Sequence, residues 1–275
     1  MRSRPWYLDN QLWIEYFVLL NLAGLVVDIV FAHSENHFRR ESEYVPLYFS
    51  VVATIVLAVV LFVRRRAPAV WRDVGHLVGW SAVAVCLAGV ILHLDSQFYE
   101  QRTIRSLTYA APFAAPLAYT GLGLLLIVNR LVEPDTIGWA QWVLLLALGG
   151  FVGNFVFSLT DHAQNGFFNP VEWLPVLTSA FAIGFLLVPF LVPISAGYVQ
   201  LCTLVLLGQA IVGVVGFVFH AASDLRQPGA TLFERILSGA PPMAPLLFPN
   251  LAVLAFIALW VLAEDMKQVD RVVRS

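Results

Sequence analysis

The 275-residue sequence predicts an all-α, polytopic integral membrane protein: eight transmembrane helices built as a tandem duplication of a four-helix unit. Three observations carry this. The chain is 59% hydrophobic and only 12% charged, against roughly 45–50% and 25% in soluble domains, and its mean hydropathy is +0.78. Eight apolar stretches, each about the 20 residues a spanning helix needs, lie between charges. A shift of 129 residues carries one half of the chain onto the other. The composition excludes a globular cytosolic enzyme and a disordered chain. A net charge of −2 leaves no basic surplus for nucleic acid.

The expected spans are residues 12–32, 45–63, 74–93, 107–129, 137–160, 173–191, 198–220 and 239–262. The uncharged run from Trp173 to Ser223 is too long for one helix. Its break falls at Pro193-Ile-Ser-Ala-Gly197, because Pro and Gly interrupt helices. The first apolar segment contains Glu15, Asn21 and Asp28 and lacks a small-residue cleavage site, so it is expected to stay as a helix.

An even span count places both termini on one side. Arg2, Arg4, Arg64, Arg65, Arg66, Arg72, Arg130, Lys267, Arg271 and Arg274 fall there, against Arg39, Arg40, Arg102, Arg105, Arg226 and Arg235 opposite. The richer side is expected to be cytoplasmic, in a bacterial or archaeal plasma membrane. Trp6, Trp13, Trp71, Trp80, Trp139, Trp142 and Trp173 are expected in interfacial belts. Residues 149–153 and 208–216 are expected as glycine faces for close helix packing. Cys86 and Cys202 lie in apolar runs and read as inert buried thiols.

The shift maps residues 24–53 onto 153–182 without a gap. Identities include His33/His162, Asn36/Asn165, Phe38/Phe167, Glu43/Glu172, Pro46/Pro175 and Ser50/Ser179. It also pairs Pro112 with Pro241 and Pro116 with Pro245, while Gly89/Gly216, His93/His220 and Ser96/Ser223 match at 127. Two membrane repeats follow, residues 1–132 and 133–275. Each has an even number of spans, so a pseudo-two-fold axis along the membrane normal is expected.

Every odd helix ends near a histidine (His33, His93, His162, His220), and each following helix opens near a proline. Carboxylates gather there: Asp28, Glu35 and Glu43, then Asp95 and Glu100, Asp161 and Glu172, Asp224 and Glu234. Ionisable groups in a bilayer are costly unless partnered and so mark function. His33 and His37 share a helix face if the helix reaches that far. Imidazole with carboxylate suits copper or iron, with zinc possible. The candidate metal ligands are therefore His33, His37, Glu43, Asp28, His162, Glu172, Asp161, His93 and His220. The first hairpin, with Glu35 and His37, is expected to be the better site. His93 and His220 lean toward a structural role, because their acids do not align.

The segment Asp161-His-Ala-Gln-Asn-Gly-Phe-Phe-Asn-Pro-Val-Glu172 resembles the metal-site segment of the C subunit of particulate methane and ammonia monooxygenases. That segment has an Asp, a His one turn later and a second His further on. His162 matches the first His, and Glu172 stands near the place of the second; Ser158 stands where the Asp is expected. In the first hairpin, Asp28 is five residues before His33 and Glu43 stands near the second His. The resemblance implies a copper site in the membrane facing the non-cytoplasmic side. The eight-helix tandem layout is also similar to haem A synthase, although that family's cysteine-containing loop has no match here.

The leading expectation is a His/carboxylate metal site near the non-cytoplasmic face, serving redox chemistry or metal handling. Two alternatives stand beside it: a transporter or channel with a proton-relaying cleft between the repeats, and a non-catalytic subunit of a membrane complex. The expected surroundings are the lipid bilayer and either partner membrane subunits or further copies of this chain.

Overall fold

The computed structural model describes residues 9–229 and 231–274, the last six without their side chains. Arg2, Arg4 and Trp6 lie outside these residues, as do the side chains of Arg271 and Arg274. The described chain is helical throughout, with no strand.

The long helices run α1 (Asn10–Ser34), α2 (Tyr44–Val63), α3 (Pro68–Asp95), α6 (Leu117–Leu131), α7 (Ile137–Gln164), α8 (Trp173–Leu191), α9 (Ala196–Asp224) and α11 (Leu247–Arg274). Short α4 (Phe98–Gln101) and α5 (Ile104–Thr108) join α3 to α6, and α10 (Leu232–Leu237) lies between α9 and α11. Side-chain caps start the helices where the sequence supplies them. Asp9 accepts from Leu12 N at 3.0 Å, Thr136 from Trp139 N at 3.2 Å and Ser195 from Tyr198 N at 3.3 Å, each satisfying an orphan first-turn N–H. Pro68 opens α3, where its missing N–H costs nothing. The break after Leu191 falls at Pro193 and Ser195, as the sequence indicates.

Seven of these helices are long and apolar enough to cross a membrane. The eighth, α6, has 15 residues, about 22 Å of helix against a hydrocarbon core of about 30 Å. The span expected over residues 107–129 is shortened at its start, because Pro112 and Pro116 fall in the turns between α5 and α6.

Helices α1, α2, α3 and α6 pack in a closed ring, and α7, α8, α9 and α11 form a second ring with the same neighbours in the same order. The rings meet where α6 touches α7 and α1 touches α11. One apolar core runs through both, from Ile14, Leu22 and Leu57 to Leu144, Leu186, Leu206 and Leu259. Outward faces are equally apolar: Phe62 is 91% exposed, and Ile55, Leu77, Leu204 and Phe181 each stand well out. In water such faces would drive association; against lipid they are simply solvated.

Helices α3 and α6 approach closely where Gly79 and Gly123 face one another. A Cβ on Gly79 would meet Gly123 O at 2.8 Å, and a Cβ on Gly123 would strike Gly79 O. The expected glycine faces form only in part. Gly150 packs on Leu251 and Gly213 on Pro245 and Pro249, whereas Gly149, Gly153 and Gly208 meet nothing within 4 Å. Two of the tryptophans at helix starts, Trp139 (0% exposed) and Trp71 (8%), are buried against neighbouring helices.

Candidate functional site

Local chain geometry brings each first-helix histidine to the glutamate that precedes the next helix. Helix α1 stops at Ser34, and the chain reverses through His37 (φ 60°) and Phe38 (φ 49°), both left-handed. Phe38 N donates to His33 O at 2.9 Å, closing the turn. A 3-10 turn, Glu41–Glu43, then starts α2. The third hairpin repeats this. Gly166 (φ 74°) and Phe167 (φ 52°) make the reversal, Phe167 N donates to His162 O at 3.1 Å, and the turn Pro170–Glu172 starts α8.

His33 Nδ1 then lies 3.5 Å from Glu43 Oε2, and His162 Nδ1 lies 3.7 Å from Glu172 Oε2. Both glutamate oxygens are buried without a hydrogen-bond partner. The second histidine of each half sits beside this pair. The His33 and His93 ring centroids are 6.3 Å apart and the planes meet at 75°; for His162 and His220 the values are 6.5 Å and 86°. His93 Nδ1 is 2.9 Å from Pro112 O, and His220 Nδ1 is 2.9 Å from Pro241 O. An aromatic ring covers each first histidine. Phe38 is 5.7 Å from His33 and stacks on Tyr44 at 4.7 Å; Phe167 is 6.0 Å from His162 and stacks on Trp173 at 4.0 Å. Left-handed backbone at a non-glycine residue costs about 1–2 kcal/mol, and Phe38 and Phe167 carry it at the same place.

Of the expected ligands, His33 pairs with Glu43 and His162 with Glu172, while His93 and His220 stand beside those pairs without joining them as a third ligand. Asp28 lies more than a turn below His33 and interacts with it electrostatically. Asp161 interacts with both His162 and His220. His37 does not join. The helix on which it would share a face with His33 ends at Ser34, and His37 sits exposed in the left-handed turn. Glu35 is exposed too, so the first hairpin has no richer set than the third. Among the described residues, no three His, Cys, Asp or Glu side chains converge as a ready metal cage.

A second polar cluster, at the opposite end of the first ring, escaped the sequence reading. Arg130, expected as a flanking charge, has a fully buried side chain and pairs with Glu15 through both terminal nitrogens, at 2.9 and 3.0 Å. Asn129 Nδ2 donates to Glu15 Oε1 at 2.8 Å, and Trp139 Nε1 to Asn129 Oδ1 at 3.3 Å. The guanidinium lies 4.3 Å from the centre of the Trp71 ring, and Arg130 Nε donates to Trp71 O at 3.1 Å. The available signal was Glu15 inside an apolar segment, where an acid needs a cation.

The helical architecture and the apolar outer faces are those of an integral membrane protein. No protein-family model, no curated protein and no solved structure matches the chain.

Proposed function

We propose that the chain crosses the bilayer eight times as two tandem four-helix units, residues 1–132 and 133–275. We further propose that it holds a metal ion at the His33–Glu43 and His162–Glu172 pairs, for redox chemistry or metal handling. Antiparallel packing of α6 on α3 supports the eighth crossing. Pro116 lies against Gly89 at one end and Arg130 against Trp71 at the other. Those contacts are 18 residues of α3 apart (89 minus 71), about 27 Å. Recurrence of the His–Glu pair, the His–Pro carbonyl bond and the covering aromatic supports the tandem reading.

The observation that carries the metal is the His–Glu gap. At 3.5 and 3.7 Å it is too long for a good hydrogen bond. Two ligands each about 2.1 Å from a tetrahedral ion stand roughly 3.4 Å apart. A buried carboxylate oxygen without a donor is costly, and a cation beside it removes that cost. The Nδ1 bonds of His93 and His220 to proline carbonyls hold those rings in place, as outer-shell partners of metal-binding histidines do. Copper and iron are favoured for this donor set, and zinc also suits it.

Metal analysis of the purified full-length protein tests this. Copper, iron or zinc is expected in stoichiometric amount, falling by at least half in E43Q/E172Q, and further in H33A than in H93A. The bound metal should also decrease as the buffer is taken from neutral to acidic pH, since protons compete for both ligands. Protein that carries no metal and takes up none on addition leaves the pairs as structural His–Glu clasps and ends the proposal.

A further inference from the structure

The end of the molecule opposite the histidines carries a groove. It lies where α1 begins and α2 ends, with a volume of about 360 Å³. One wall is polar: Asp9, Arg64, Arg65 and Arg66. The other is apolar: Leu12, Leu61 and Phe62. Phe62, at 91% exposed, continues that wall onto the outward apolar surface. Three arginines and one aspartate line the groove. Asp9 is already engaged, since Oδ1 caps α1 and Oδ2 accepts from Arg64 Nη2 at 2.6 Å. Arg64 Nη1 is buried without an acceptor, and Arg65 and Arg66 are exposed. The groove therefore has cationic donors in excess beside a surface that lipid chains would wet.

We propose that this groove binds the phosphate of an anionic phospholipid headgroup from the adjoining leaflet, with the acyl chains lying along Leu12, Leu61 and Phe62. The chemistry recognised is a phosphate ester on an amphipathic molecule. Arginine suits it because its planar fork donates to two phosphate oxygens at once, and basic groups at a bilayer surface attract anionic lipid. The second half supplies an internal contrast. Under the 129-residue shift, Arg64, Arg65 and Arg66 correspond to Pro193, Ile194 and Ser195, and Asp9 to Gly138. None of those four positions carries a charge.

The test is native mass spectrometry of the full-length, delipidated protein titrated with phosphatidylglycerol, with phosphatidylcholine of the same chain length as the neutral reference. Wild type is expected to take up phosphatidylglycerol preferentially, with one molecule held most tightly. R65Q/R66Q alters two exposed residues and should weaken that tightest binding about tenfold. R39Q/R40Q, which removes the same charge from the other end, should leave it unchanged. Equal uptake of the two lipids overturns the proposal, as does an equal loss in both variants, which would mean diffuse attraction. Displacement of the bound lipid by inorganic phosphate alone would make this a free-ion site and overturn the lipid assignment.

Discussion

The two rings have the same helices and neighbours, but they bury their polar groups in different places. The first holds Glu15, Asn129 and Arg130 at the end away from the histidines. The second has Leu144, Ala258 and Leu259 at the corresponding positions, all nearly or fully buried. Deeper in the second ring, Asn154, Ser158 and Gln209 are buried where the first has Leu25, Ile29 and Ala82. Tyr119 of the first bonds to Ser50 at 2.6 Å and to Pro46 O at 3.0 Å. Its counterpart is Phe248, and there Ser179 turns to its own helix, bonding Pro175 O at 2.7 Å. A four-helix ring of this shape thus accepts either an ion pair or aliphatic packing at one corner. The His–Glu–His–Pro arrangement differs from these in being the same in both rings.

The ion pair offers the largest test of that contrast. Glu15→Gln should destabilise the protein by about 3–5 kcal/mol, because it strands a buried guanidinium. Glu15→Leu with Arg130→Leu, which copies the second ring, should recover most of that loss. Thermal unfolding in detergent measures both, and a double variant no better than the single would show that the corners are not interchangeable. Next in size is the Gly79–Gly123 approach. Gly79→Val should cost about 1–3 kcal/mol through overpacking, whereas Gly153→Val, on an open face, should change the melting temperature little. Equal effects would mean that α3 and α6 do not meet this closely.

Smaller effects are expected from single hydrogen bonds. Tyr119→Phe, which again copies the second ring, should cost about 1 kcal/mol. Gln209→Leu should cost less or stabilise, because Gln209 Oε1 is buried without a donor although its Nε2 donates to Thr178 O at 2.6 Å. A loss larger than that of Tyr119→Phe would show that Oε1 has a partner after all.

Hydropathy made most helices legible, since a lipid-facing helix must be apolar along its whole length. Residues 173–191 and the start of α7 were set correctly to the residue. The shift of 129 made the His–Glu pairs legible because both members lie within one hairpin. Glu15 and Arg130 were not legible as a pair, because 115 residues separate them in sequence and only ring closure brings them together. The condition for His37 to share a face with His33 is not met, for a local reason: nothing in its residue type announces that the helix ends at Ser34 and the backbone turns left-handed. The glycine faces were legible only in part, since spacing shows that a helix has a smooth side but not whether a neighbour lies against it.

The short helices at the histidine end carry a consequence for how the protein is made. Helix α10 leans on α1, with Phe233 5.6 Å from Phe31, and α5 leans on α7, where Gln164 Nε2 donates to Thr108 O at 2.9 Å. Asn21 of α1 likewise bonds to Asn250 of α11. As the chain leaves the ribosome, Phe31 and Asn21 enter the membrane some two hundred residues before their partners exist. The first ring can therefore close on itself before α10 and α11 are made, but its histidine end is finished only when those two helices reach α1.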